Sequence, residues 1–210
     1  MEQLVKVSGV AAPLMRINVD TDQIIPGPEI MASVDESYGR WGTGLFANWR
    51  YSDGAGGAHT PNPDFILNRE PYRRAVILLA DRNFGCGSSR EPAPKALRGF
   101  GFRAVIAPSF GEIFQINSLK NGFLPIALTE AEVDKLFYEA ASFAGFRLRV
   151  DLERQSVATV DSSKSFHFDI DPFRKHCLLN GLDEIGLSLG HADKIRAFED
   201  RRKTQFPWYF

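Results

Sequence analysis

Residues 83–91 read NFGCGSSRE, and the types gathered there suit the capture of a negative charge. Gly85 and Gly87 let the backbone turn sharply and come close to a ligand. Successive amide N–H groups around Cys86 in such a turn form an anion-binding concavity. Arg90 adds a permanent cation whose planar fork matches a carboxylate. Ser88 and Ser89 add hydroxyls, and a helix opening just after them adds the positive end of its dipole. The chemistry in prospect is binding of a small carboxylate, or support of a serine that must itself carry negative charge. The same letters also fit a plain capping box, Ser88-x-x-Glu91. Pro92 and Pro94 argue against that reading, because a proline beyond the first turn lacks a helical donor. They are expected to push the regular helix later and to leave both serines in the loop.

Cys86 is a second candidate, either as a nucleophile or as a small buried thiol. None of the four histidines, His59, His167, His176 and His191, is marked by spacing as its partner. The other cysteine, Cys177, falls in an amphipathic stretch and reads as core. Two distant cysteines do not make an iron–sulfur site, which takes more thiolates. The histidines lack metal-ligand spacing, so no metal is assigned to this chain. Asp20-Thr21-Asp22 offers caps for a turn or short helix.

These residues need a scaffold, and the chain alternates strand and helix signals around them. Residues 75–80, AVILLA, form a continuous aliphatic run that suits a strand buried on both faces. Residues 103–108 and 124–128 repeat that signal, with helices expected from near Pro92 to Arg98 and over 111–120, the latter ending at Asn121-Gly122. Thr129 and Glu132 form a capping box for a helix that Gly145 ends. Before the motif, 3–8 and 15–19 read as extended, and Pro26 and Pro28 are expected to stop a short helical turn opened by Asp20. Residues 29–64, rich in Gly, Pro, Asn and aromatics, read as a long loop region that faces substrate, folds on a small core of Leu45, Phe46, Trp49 and Tyr51, or does both. Residues 146–152 and 165–170 alternate like an antiparallel pair, with 156–165 holding another strand or the connection. Helices follow over 172–180 and 190–203, in a tail of 170–210. The order predicts one α/β domain over 1–210, with a partly parallel central sheet, flanking helices and a smaller antiparallel element.

Bulk composition agrees with a soluble globular protein: 210 residues, 44% hydrophobic, 24% charged and a net charge of −1. That balance gives no reason to expect nucleic acid or an anionic membrane as partner. No apolar run approaches the ~18 residues of a spanning helix, and residues 1–14 lack a leader's pattern. Two cysteines in such a chain point to a reducing cytoplasm.

Four stretches in order, NVDTDQIIP (18–26), NFGCGSSRE (83–91), IAPSFGEIFQINSLKNGFLPI (106–126) and LNGLDEIGLSLGHADKIRAFE (179–199), resemble the small subunits of bacterial 3-isopropylmalate dehydratase. The resemblance covers nearly the whole chain. It implies the detached swivelling β/β/α domain of the aconitase superfamily, closing over a large subunit that carries a [4Fe–4S] cluster. It implies a hydro-lyase of leucine biosynthesis, converting 2-isopropylmalate to 3-isopropylmalate through the alkene. It implies Ser88 as the base that takes the proton beside a carboxylate, Ser89 and Arg90 as carboxylate ligands, and Asp22 and Thr21 as further active-site positions. Arg40 would meet a carboxylate, and Trp41, Leu45 or Phe46 the alkyl group. One departure stands out: the family reads Ser-Ser-Arg-Glu-His-Ala-Pro, and here Pro92 replaces the histidine. A related citraconate or dimethylmaleate hydratase subunit, or an anion-binding module without catalysis, remain the alternatives.

Overall fold

The computed structural model describes residues 1–33, 38–87 and 90–209. The strands are β1 (Lys6–Leu14), β2 (Ile77–Ala80), β3 (Ala104–Ala107), β4 (Leu124–Ala127), β5 (Arg147–Asp151), β6 (Ser156–Thr159) and β7 (Ser165–His167). The helices are α1 (Thr21–Ile24), α2 (Gly27–Ser33), α3 (Tyr38–Thr43), α4 (Ala47–Arg50), α5 (Pro92–Phe100), α6 (Glu112–Lys120), α7 (Glu130–Ser142), α8 (Pro172–Asn180), α9 (Glu184–Leu189) and α10 (Ala192–Gln205). None of the described helices is long and apolar enough to cross a membrane.

The strands make one seven-stranded sheet in the order β4-β3-β2-β1-β5-β6-β7. It is parallel from β4 to β1 and antiparallel from β1 to β7. The long strand β1 joins the halves by dividing its own length. Lys6–Val10 pairs with β5, and Ala11–Leu14 pairs with β2. Pro13 is tolerated there for a geometric reason. The Ala11 N–H donates to Phe146 O on the β5 side, so the nitrogen two residues on points past the end of β5, where no ladder donor is needed.

Alternation along the parallel strands feeds two cores, one on each face. Ile77, Leu79, Ala104, Ile106, Leu124 and Ile126 pack beneath α7, through its Val133, Leu136 and Ala140. Leu78, Ala80, Val105 and Ala107 face the other way, onto Ala93, Ala96 and Leu97 of α5. Burial on both faces is why these strands are continuous aliphatic runs.

Several expectations need correction. Residues 15–19 form no strand: the chain leaves the sheet after Leu14 and passes through Asn18 at φ 54°. Pro28 does not stop a helix but sits in the first turn of α2, where its missing N–H costs nothing. The 29–64 region is no separate small core, because the fully buried Leu45 and Phe46 join the core under α5. The stretches 146–152 and 165–170 do not pair with each other; β6 lies between them. The tail contains an extra helix, α9, that its apolar and glycine content did not announce.

Candidate active site

The carboxyl ends of parallel strands are where α/β sheets leave backbone free to build sites, and here two of those ends are stitched together. After β1 the chain turns at Asn18 and enters α1, whose start is fixed by a complete capping box. Asp20 Oδ1 accepts from Gln23 N at 2.7 Å, and Gln23 Oε1 accepts from Asp20 N at 3.0 Å. After β2 the glycine turn runs alongside. Gly85 N donates to Val19 O at 2.7 Å, Thr21 N donates to Cys86 O at 3.0 Å, and Asp20 and Cys86 form a parallel bridge. On its other side Phe84 bridges to Phe110, with Gly111 N donating to Phe84 O at 2.9 Å. The turn thus continues the sheet order β1-β2-β3 beyond the strands themselves.

The glycines are demanded by this packing. Gly85 sits at φ 74°, and a Cβ there would meet the Phe114 ring 2.2 Å away. Gly87 sits at φ 89°, with Asp20 Cβ 3.2 Å from where its own Cβ would be. Asn83, at φ 58°, is the third left-handed residue of the turn. Its side chain donates to Asn18 Oδ1 at 3.0 Å and its backbone N–H to Ser109 Oγ at 2.8 Å. Asn18 and Asn83 are positioning residues that the motif alone did not single out. Asn is the non-glycine residue that best tolerates this backbone region, and its presence as the first residue of each motif was the available signal.

The turn delivers the chain to α5, which starts at Pro92 with Glu91 as its N-cap. Both prolines lie in the first turn, so the helix opens at Pro92, as expected, and later than a cap at position 88 would have set it. The N-cap of α5 is Glu91, which makes no side-chain cap hydrogen bond, and its carboxylate pairs with Lys95 at 2.9 Å. Pro92 at the first helical position is compatible with the helix start, where its missing N–H has no intrahelical partner to lose. Ser88 and Ser89 themselves lie outside the described residues.

Arg90 and Asp22 meet across the two loops, Arg90 Nε standing 2.9 Å from Asp22 Oδ1. Both side chains remain about half exposed, at 40% and 53%, so the pair lies open to a ligand. Thr21 is different. It is fully buried, and its hydroxyl has no hydrogen-bond partner among the described residues, so its side chain does not reach that open face. Arg40 is exposed on α3, a separate helix that packs on α5. The crossing is close because Gly42 leaves room for the Gly99 backbone, which its Cβ would meet at 2.2 Å. Leu45 and Phe46 are sealed in the core, and Trp41 shows only 9% of its surface, with Lys95 Nζ 6.0 Å from its ring.

Cys86 is half-buried, and burial, followed by the nearby Asp20 carboxylate, pushes its thiol above the ordinary value. A thiol held protonated is a poor nucleophile. Cys177 is buried in α8. The described His, Cys, Asp and Glu residues form no group of three that could hold a metal ion.

Comparison with known proteins fits this geometry. A family model of the aconitase C-terminal domain matches residues 1–131. A model described as LeuD_N matches 134–172, and a model of the C-terminal domain of 3-isopropylmalate dehydratase small subunits matches 184–210. The chain is 55% identical over 205 residues to the 3-isopropylmalate dehydratase small subunit of Methylibium petroleiphilum, covering 95% of this chain and 93% of that one. It is 53% identical to the subunit of the same name from Neisseria meningitidis, over 100% and 99% of the two chains. A crystal structure of 3-isopropylmalate dehydratase (leuD) from Methanocaldococcus jannaschii superposes with a TM-score of 0.63 at 23% identity, over 94% of this chain and 99% of that one, and so shares the fold. From its paired loops to its tail, the chain belongs to the family of 3-isopropylmalate dehydratase small subunits, built on the aconitase C-terminal domain.

Proposed function

We propose that this chain works as the small subunit of a 3-isopropylmalate dehydratase in the cytoplasm, interconverting 2- and 3-isopropylmalate by loss and return of water through 2-isopropylmaleate in leucine biosynthesis. The observation that carries the reading is the Arg90–Asp22 pair at 2.9 Å, open to solvent at the carboxyl ends of two parallel strands. An arginine fork held by a carboxylate at its Nε edge presents an oriented, permanent planar cation at an open surface, the group that suits a substrate carboxylate.

In this reading Arg90 and Ser89 hold one carboxylate of the substrate, and Asp22 sets the plane of the guanidinium. The Ser88 oxygen takes the proton from the carbon beside that carboxylate, and the carbon–oxygen bond on the neighbouring carbon breaks as the alkene forms. Rehydration with the opposite regiochemistry gives the isomer. A serine hydroxyl is a weak base near neutral pH, so it needs converging donors that favour the alkoxide. The turn Gly85-Cys86-Gly87, with its two glycines left-handed, the amino end of α5 and Arg90 supply that field before any substrate arrives. Arg40 on α3 is the candidate for the second carboxylate.

This chain's residues do not fit an iron–sulfur cluster: it has two cysteines, Cys86 and Cys177, and the second is buried in a helix. We therefore place the cluster, and the fate of the departing hydroxyl, with a large-subunit partner.

The test is reconstitution with a cluster-bearing large subunit against a panel of 2-alkylmalates, read by absorbance of the alkene. Turnover of 2-isopropylmalate in the mixture and none by the isolated chain is expected. Preference for citraconate or dimethylmaleate would overturn the substrate assignment, and full activity without a partner would overturn the division of labour.

A further inference from the structure

At the opposite end of α5 from Arg90 lies a cleft of ≈520 Å³ that the dehydratase reading leaves unused. Its walls come from α3, α4, the last residues of α5 and the 3₁₀ turn Tyr72–Arg74. Arg50 lies along it, its guanidinium 4.9 Å from the Phe100 ring centroid and 5.3 Å from that of Tyr51. Arg50 Nη1 donates to Gly42 O at 2.8 Å, while Nε reaches Asn68 Oδ1 only at 3.4 Å. Among the described residues, Arg50 Nη2 donates to nothing, and the exposed guanidinium of Arg73 has neither a hydrogen-bond nor an ion-pair partner.

The cleft also lacks a counter-charge. Glu29, the buried carboxylate nearby, is committed to His59 Nε2 at 2.9 Å and to Gly56 N at 2.8 Å, and it does not line the cleft. Asp53 accepts from Thr60. Tyr51 donates its hydroxyl to Thr43 O, and burial keeps it protonated by raising its pKa. Burial lowers the Arg50 pKa, the Tyr51 hydroxyl opposes this, and the like charge of Arg73 lowers it further. A structural role accounts for the Arg50 bonds to Gly42 and Asn68. It does not account for a second arginine brought to the same cleft with every donor unspent. Two guanidinium groups facing one hollow, with no carboxylate between them, form the arrangement that an oxyanion fills.

We propose that this cleft binds a small oxyanion, the carboxylate or phosphate of a soluble metabolite, bridged between Arg50 and Arg73. The bound anion ties the 38–74 segment to the carboxyl end of α5. The amino end of that helix follows Arg90 about 12 Å away, from the helical rise per residue.

The experiment is an amide-shift NMR titration of the full chain with inorganic phosphate and, separately, with succinate, at ionic strength held constant by sodium chloride. The expected result is a saturable response centred on residues 42–43, 50–51, 73 and 99–100 for at least one anion. The anion that gives it identifies the source. Arg73→Gln, at an exposed position where folding is not at risk, weakens binding by about tenfold, the worth of a charge-assisted bond. Arg50→Lys, which keeps the charge and loses the fork, weakens it as well. Equal affinity in Arg73→Gln, a response centred on residues 20–22 and 85–90, or no saturable response to either anion would each overturn the proposal.

Discussion

Arg90 Nε lies 2.9 Å from Asp22 Oδ1, and this pair joins two loops that leave neighbouring parallel strands. Because both side chains are about half exposed, the pair contributes little to folding, on the order of 0–1 kcal/mol. Its consequence is directional, since it fixes the plane of an arginine fork at an open surface.

Asp22→Asn should therefore separate stability from activity. The melting temperature is expected to stay close to that of the parent chain. The kcat/KM of the reconstituted enzyme should fall by about 10- to 100-fold, the cost of a misplaced binding group. Steady-state kinetics beside a thermal melt measure both, and an unchanged kcat/KM would remove Asp22 from the site.

For Ser88→Ala the expectation is a loss of about 10²- to 10⁴-fold in kcat, the usual contribution of a positioned base. Affinity for the large subunit should be unaltered. Single-turnover kinetics with the reconstituted enzyme decide it, and a near-parental rate would place the base elsewhere.

Gly85→Ala tests the turn. The new Cβ would fall 2.2 Å from the Phe114 ring at a φ of 74°. Left-handed strain and overpacking together predict a loss of ~2–5 kcal/mol, seen as a drop in Tm of roughly 5–15 °C. Gly87→Ala, whose Cβ would meet, among the described residues, Asp20 Cβ at 3.2 Å, should cost less. A reversed order would contradict the packing described.

Cys86 carries a raised thiol pKa, caused first by burial and then by Asp20. At neutral pH it should alkylate with iodoacetamide more slowly than a free thiol, and the rate should climb only above the ordinary value of 9.0. Cys86→Ala should keep most of the activity. Rapid alkylation at pH 7 would reopen the nucleophile reading.

Asp161 offers a pH test remote from the site. The hydroxyl of Thr159, then the backbone and hydroxyl of Ser163, hold its carboxyl down at about 2 against an ordinary 3.8. A depressed carboxylate stabilises the fold above its unfolded pKa and loses that contribution as pH falls through the folded one. The Tm difference between the parent and Asp161→Asn should thus be full at pH 7, shrink between about pH 4 and 2, and vanish below.

What the sequence determined is local. The aliphatic run at 75–80 became β2, Thr129 and Glu132 formed the capping box that opens α7, and Gly181 ended α8. These signals are readable because each reports the burial or backbone geometry of its own few residues. The glycine turn with Arg90 was legible for the same reason, since glycine is the residue that best suits left-handed positions such as those at 85 and 87. What only the tertiary structure decided is non-local pairing. It split β1 between a parallel and an antiparallel neighbour, slipped β6 between two stretches expected to pair, sealed Thr21, Leu45 and Phe46 inside, and set Asp22 against Arg90. Strand partners and loop meetings follow from how distant faces bury one another, and no periodicity within a short window encodes that. The two arginines at the far end of α5 belong to the same class: they lie far apart in sequence and face one cleft only because the chain folds back over that helix.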